Sequence, residues 1–435
     1  MQKLTTSFIE PSKFPFFYGY LIVIVGTIGI LASLPGQTVG IATFTDPVMQ
    51  ALNLTRDQFS LAYMVGTLLS SFLITRTGRF YDRHGALITS VLATLLLGIT
   101  LLLCSVSDVM ARWLSSLLGL SHWLVPFCVM AWLFFMLRFS GQGVLTMVSR
   151  NMIMKWFDRY QGRVNAICSV CVALGFSASP ILIEMLIQKF GWSGAWQMMA
   201  MGMVAILLMV LLFYKDNPTQ YGLVADGLRV DTQEPLKIQQ ANFSLASAIK
   251  TRAFWIYALL LSFYSFYVTG VTFHVVSIFS SAGYSRSDAL SIFLPISIIS
   301  IFASIGGNLL SEWIRLKFLL YAMIVGAVAA TVGLIGLDDG WGVYCLIGGT
   351  GVMGGLFTVL MAITWPRFFG LRNLGAISGK AMSMLVLASA LGPVLFSISK
   401  TLFHSYEYIS WISLVYLFFV AAGAPKANPP VEPLG

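Results

Sequence analysis

Gly78-Arg79-Phe80-Tyr81-Asp82-Arg83-His84-Gly85 is a short run of glycine and charge set between two apolar stretches, 58–76 and 86–105. Each stretch is about 20 residues long, the length that carries a helix through a hydrocarbon layer. A short basic connection between two such stretches reads as the cytoplasmic turn of a membrane hairpin. Working outward, the same pattern fills the chain. Twelve spans are expected, at 17–40, 58–76, 86–105, 123–149, 164–187, 193–213, 254–281, 288–310, 317–337, 341–364, 374–399 and 408–424. Composition agrees. Of the 435 residues 57% are hydrophobic and 10% charged, against about 25% charged in an ordinary soluble domain. That excludes a water-soluble protein and a disordered one.

The net charge of +9 comes from 26 Lys+Arg against 17 Asp+Glu. With both termini in the cytoplasm, 19 of the 26 fall on cytoplasmic segments, 5 on outer ones and 2 inside spans. This is a positive-inside bias, so the excess base reports topology, and nucleic acid is not an expected partner. The stretch 106–122, with Asp108, Arg112 and several serines, is too polar to span. It reads as a surface loop carrying an amphipathic turn or two. The first apolar run is too long for a signal peptide and lacks a small-residue cleavage site. Cys168-Ser169-Val170-Cys171 has redox spacing but sits in an apolar helix, where small packing residues are the plainer reading.

The longest polar stretch, 214–252, separates two sets of six spans. The expected organisation is 1–213, a central cytoplasmic loop 214–252, and 253–435. The halves repeat: Trp156 and Arg163 after span 4 are matched by Trp365 and Arg372 after span 10. Gly307-Asn308-Leu309-Leu310-Ser311-Glu312-Trp313-Ile314-Arg315 after span 8 reads as a degenerate copy of the 78–85 run, its acid displaced by one position. Paired bundles of this kind hold their substrate near the midplane. In the 78–85 run, Gly78 permits close helix approach. Asp82 is suited to a neighbouring helix N-terminus, and Arg83 to a carboxylate or lipid phosphate. These three are the expected gating residues.

G-x-x-x-D-R-x-G between spans 2 and 3 resembles the signature loop of the major facilitator superfamily, and Arg138-Phe139-Ser140-Gly141-Gln142-Gly143 looks like its span-four R-x-x-G-x-G motif. The resemblance runs over roughly residues 16–424 and implies an all-α integral membrane protein of twelve helices in two six-helix bundles. Trp156 to Arg163, Gly191-Trp192, Asn217-Pro218, Tyr221-Gly222-Leu223, Phe254-Trp255 and His274 look like the monocarboxylate porter and oxalate:formate antiporter branch.

Arg138 lies near the centre of span 4, where an arginine costs about 2.5–3.5 kcal/mol on insertion scales. Three readings stand: an anion-binding group, a hydrogen-bonding strut between helices, and a proton-coupling element. Gln142, four residues on, shares its face. Lys380 lies about 9 Å into span 11. It either snorkels to the cytoplasm or, as the branch resemblance implies, binds a carboxylate. The branch's span-eight arginine has no counterpart between Asp288 and Glu312, which places a dicarboxylate in doubt. Tyr264 and Tyr267 share a face of span 7 and read as carboxylate donors or as packing. Gln37 follows Pro35-Gly36, where span 1 is expected to break and free backbone donors. Asp46 and Glu184 lie at outer ends and no acid lies at mid-depth. That favours anion exchange, or symport in which the substrate or Lys380 carries the proton.

The expected function is a secondary active transporter of small organic anions, monocarboxylates first, working by alternating access in the plasma or bacterial inner membrane. Its partners would be the anion and membrane lipid, and it would act as a monomer. The rivals are an exporter of drugs or other hydrophobic solutes and a non-transporting receptor on a transporter fold. No catalytic motif and no metal-ligand cluster is found, so neither an enzyme nor a cofactor is expected. The histidines, His84, His122, His274 and His404, are scattered.

Overall fold

A computed structural model describes residues 10–120, 123–227 and 243–430. Lys3, His122 and the middle of the central loop from Arg229 to Lys237 lie outside the described residues. The fold is all-α: among the described residues helix accounts for 86%, and no strand occurs. Ten described helices are long and apolar enough to cross a membrane. Two of these, Arg56–Ser105 and Gln161–Phe213, run 50 and 53 residues. At 1.5 Å per residue each is about 75–80 Å long, more than twice a hydrocarbon core of about 30 Å.

Each long helix is broken at one glycine, Gly85 (φ 84, ψ 179) in the first and Gly191 (φ 69, ψ 170) in the second. That backbone region is essentially restricted to glycine. Each long helix is therefore a pair of spans, and the total is twelve. The break also revises the picture of the 78–85 run. It is no open loop: span 2 stays helical up to the reversal at Gly85. Gly85→Ala should cost about 1–3 kcal/mol through strain alone, read as a lower melting temperature of the purified protein. Gly202→Ala is the control, since nothing lies within 4 Å of a Cβ there and alanine suits a helix interior better.

Span 1 is interrupted where Pro35-Gly36 suggested. Helix Gly19–Ala32 gives way to a 3-10 turn, Leu34–Gly36, and resumes as Thr38–Thr43 and Thr45–Ala51. Span 4 comprises Leu124–Leu137, a π-helical segment Arg138–Leu145 and Thr146–Trp156. The later spans are Arg252–Ser281, Phe293–Leu310, Leu316–Ile335, Trp341–Phe369, Leu374–Phe403 and Glu407–Gly423, numbered 7 to 12. The stretch read as a surface loop holds a helix of three turns, Ser107–Leu118, stopped by left-handed Gly119. Val109, Trp113 and Leu117 recur every four residues and are all more than half exposed, while Arg112 pairs with Asp108 at 2.8 Å. An apolar stripe beside a charged one suits a helix lying in the membrane surface.

The internal repeat is visible in packing as well as sequence. Trp156 is fully buried with its ring 5.5 Å from Tyr18 at the start of span 1, and Trp365 is equally buried, 5.5 Å from Phe254 at the start of span 7. A capping box, Thr55 with Gln58, opens span 2, and another, Ser285 with Asp288, opens the short helix Arg286–Ser291 that leads to span 8. Reciprocal capping of this kind satisfies two otherwise orphaned donors. The chain groups into two compact units. One is Met1–Asp158, Cys171–Lys237 and Ser378–Ser383, and the other Arg159–Val170, Ile238–Ile377 and Met384–Gly435.

Candidate substrate site

Arg138 opens the π-helical segment of span 4. Such i→i+5 segments are rare in helices and frequent at functional sites. The guanidinium is fully buried in the first unit. Its Nη1 donates to the Gly36 carbonyl at 3.2 Å and the Thr38 hydroxyl at 3.3 Å. The Gly36 carbonyl is available because span 1 breaks there. The interruption therefore supplies an acceptor, not the donors the sequence suggested. Thr38 is in turn 2.9 Å from the Tyr63 hydroxyl, and the Arg138 Cζ lies 5.3 Å from the Tyr63 ring centroid, within cation–π range.

Those contacts use one face of the guanidinium. Nε and Nη2 are buried and have no hydrogen-bond partner among the described residues, and the same holds for the Gln142 side-chain oxygen. Buried donors on a cation are costly to leave unmade. A planar fork with two N–H groups unengaged matches a carboxylate. Spans 1 and 4 meet here on glycine. A Cβ at Gly36 would collide with the Leu137 carbonyl oxygen, and one at Gly141 would lie 3.0 Å from the Gly36 Cα. Behind Arg138, Gln37 donates to Ser33 at 3.0 Å and Thr146 at 3.2 Å, and Thr146 donates to Ser33 at 2.9 Å. The Gln37 amide thus holds span 1 to span 4 and makes no contact with Arg138 among those described.

Lys380 is half-buried and has no ion-pair partner among the described residues. Its neighbours are pinned to spans 2 and 4. Asn151 donates to Ser378 at 2.7 Å, Ser383 donates to the Ser71 carbonyl, and a Cβ on Gly379 would lie 3.2 Å from the Met147 sulfur. Met147 is nine residues beyond Arg138, a rise of about 13 Å. The two cations are not brought into contact. Tyr264 and Tyr267 belong to the second unit and do not act as a pair. Tyr267 donates to the Ala330 carbonyl at 2.8 Å, while Tyr264 stacks on Phe357 at 4.3 Å. His274 Nε2 lies 2.9 Å from the Pro393 carbonyl.

Around the Gly85 reversal, Gly78 is buried close to span 11: a Cβ on Gly379 would lie 3.4 Å from its Cα. Asp82 is half-buried and Arg83 exposed. The carboxylate seated on the N-terminus of span 3 is Asp216, which accepts from the Ala86 N–H at 3.1 Å and from Lys155 at 3.1 Å on each oxygen. The Lys155 ammonium lies 4.3 Å from the Tyr81 ring centroid. Burial, aided by the Asp216 charge, pushes the Tyr221 phenol above its ordinary pKa, and burial lowers the Lys215 amine.

In the second unit the displaced acid of the degenerate copy, Glu312, sits at a helix N-terminus. Glu312 accepts from the Arg163 backbone N–H, in the first turn of span 5, and from the Arg163 guanidinium, both at 3.1 Å. Asn165 donates to Asn308 at 2.8 Å beside it. Sequence reasoning missed Thr38, Tyr63 and Asp216. A threonine just past a Pro-Gly break was a usable signal for Thr38. Nothing in the chain's pattern points to Tyr63.

The family model described as Major Facilitator Superfamily matches residues 16–393. No curated protein sequence matches the chain. Among solved structures the chain is similar to a bacterial homologue of the iron transporter ferroportin in an outward-facing state, with TM-score 0.67, 13% identity, and coverage of 93% of this chain and 99% of that one. It is similar to the proton:xylose symporter XylE, with TM-score 0.61, 15% identity and coverage of 95% and 97%. It is similar also to the human organic anion transporter MFSD10 (TETRAN), with TM-score 0.60, 14% identity and coverage of 92% and 99%. At those identities the likeness is one of fold. Twelve spans in a repeated helical fold and a family match over most of its length together make the chain a member of the Major Facilitator Superfamily.

Proposed function

We propose that this transporter carries small organic anions, monocarboxylates first, with Arg138 as the group that receives the carboxylate. The observation that carries the reading is the fully buried guanidinium with Nε and Nη2 unengaged at the start of a π-helical segment. A strut alone would use its donors on the protein. Arg138 is fully enclosed, so the substrate reaches it in another conformation, as alternating access requires. Binding neutralises the buried charge and so favours the state in which the site is closed. Among the described residues Lys380 makes no contact with Arg138, so a carboxylate on the guanidinium is held by one cation, which suits a monoanion. Gln142 adds the amide nitrogen of its side chain. Organic anions are also what the similar human transporter is named for.

Thermal unfolding of the purified protein with small carboxylates and their neutral amides tests the reading. A ligand at 100 times its Kd adds about 2.7 kcal/mol to the folded state. Monocarboxylates should raise the melting temperature and the matched amides leave it unchanged. A shift with neutral hydrophobic solutes alone would assign the protein to export of such solutes.

Gating is proposed at the two turns that resemble each other, Gly78 to Arg83 after span 2 and the Glu312–Arg163 contact after span 8, on the cytoplasmic side with both termini. Glu312→Gln removes one charge from the latch while keeping its shape. It should lower the rate of exchange in proteoliposomes by about tenfold with substrate affinity little changed, because a charge-assisted hydrogen bond contributes about 1.5–3 kcal/mol. Unchanged exchange would remove the latch from the proposal.

A further inference from the structure

Three cations line one cleft of the second unit, and none has an ion-pair partner among the described residues. The cleft, about 340 Å³, lies between the start of span 7 and the end of span 12 and is lined by Lys250, Thr251, Arg252, Trp255, Gly423 and Lys426. Its walls are fixed. The Thr251 hydroxyl accepts from the Phe254 N–H at 3.2 Å, and the Trp255 indole donates to the Ile249 carbonyl at 2.7 Å. Lys317 donates to the Pro425 carbonyl at 2.6 Å and to Asn428 at 2.9 Å, which clamps the chain on both sides of Lys426.

Like charges gathered around one cleft repel each other, and an anion among them removes that repulsion. The N-terminus of the 30-residue span 7 adds the positive end of a helix dipole. A phosphate suits this arrangement, since its several acceptor oxygens can serve separate donors at once. The cleft also sits where two membrane helices end, with the Trp255 ring 41% exposed beside it. Tryptophan at that level marks the headgroup region, and juxtamembrane basic clusters attract acidic lipids.

We propose that this cleft binds the phosphate of an acidic phospholipid headgroup. The site is separate from Arg138 and does not depend on which substrate is carried. The full-length protein in neutral detergent is titrated with dioleoylphosphatidylglycerol, with dioleoylphosphatidylcholine and with inorganic phosphate, and its melting temperature is followed. Phosphatidylglycerol should raise it and phosphatidylcholine should not. The triple variant K250Q/R252Q/K426Q should bind phosphatidylglycerol at least about tenfold more weakly, whereas K250R/K426R and Arg138→Gln keep the full response. Native mass spectrometry of the unaltered protein, counting retained phosphatidylglycerol, gives the same answer should the triple variant not fold. An equal response to both lipids, or an undiminished one in the triple variant, overturns the site. A response to inorganic phosphate that the triple variant loses, with none to phosphatidylglycerol, overturns the lipid as its source.

Discussion

Arg138→Gln removes carboxylate counterflow from proteoliposomes, by at least about a hundredfold, without lowering the melting temperature. Each half of this result has its own cause. Two charge-assisted hydrogen bonds to a carboxylate, each contributing about 1.5–3 kcal/mol, account for the loss. Stability is spared because the arginine is a buried cation with Nε and Nη2 unpartnered, and a neutral amide is cheaper to bury than a charge. A strut predicts the opposite pattern: its contacts to Gly36 and Thr38 would hold span 1 to span 4, and their loss would lower the melting temperature. Lys380→Gln separates the two cations further. Because Lys380 shares no contact with Arg138, its removal should lower transport by less than about tenfold. Equal abolition by both substitutions would mean that the substrate bridges them in the transporting state.

Asp216→Ala should be the most destabilising single substitution outside the spans. The Asp216 side chain is 13% exposed and that of its partner Lys155 7% exposed, and removing one member of a buried pair costs about 3–5 kcal/mol because the other charge stays behind. The Ala86 N–H at the start of span 3 loses its acceptor as well. The check is a double-mutant cycle in melting temperature. Asp216→Leu combined with Lys155→Met should recover most of the loss, since apolar replacement of a whole buried pair is often neutral. A double variant as unstable as the sum of the single ones would show that the two residues act independently.

Some of the site could be read from the chain itself. An arginine in mid-span has few cheap structural excuses, so Arg138 stood out, and Pro35-Gly36 marked the break that faces it. The role of an acid at a helix N-terminus was also legible in kind: Glu312 performs it for span 5, and Asp216, read only as part of a polar loop, performs it for span 3. Tyr264 and Tyr267 illustrate the limit of periodicity. Spacing puts two side chains on one helix face, but it does not say which neighbour each ring meets, and the structure gives them Phe357 and Ala330.

Sequence alone determined that the chain crosses a membrane twelve times, since burial of apolar residues in lipid is a local property summed over about 20 positions. It determined the repeat too, because the buried tryptophans and their flanking arginines recur at constant spacing. Only the tertiary structure decided that span 4 loosens into a π-helix at Arg138, that Gly85 and not a loop turns the chain, and that two donors of a buried guanidinium are left without partners. The setting of Arg138 depends on how backbones approach one another across Gly36 and Gly141, and a close approach between residues a hundred positions apart leaves no periodic trace in the chain.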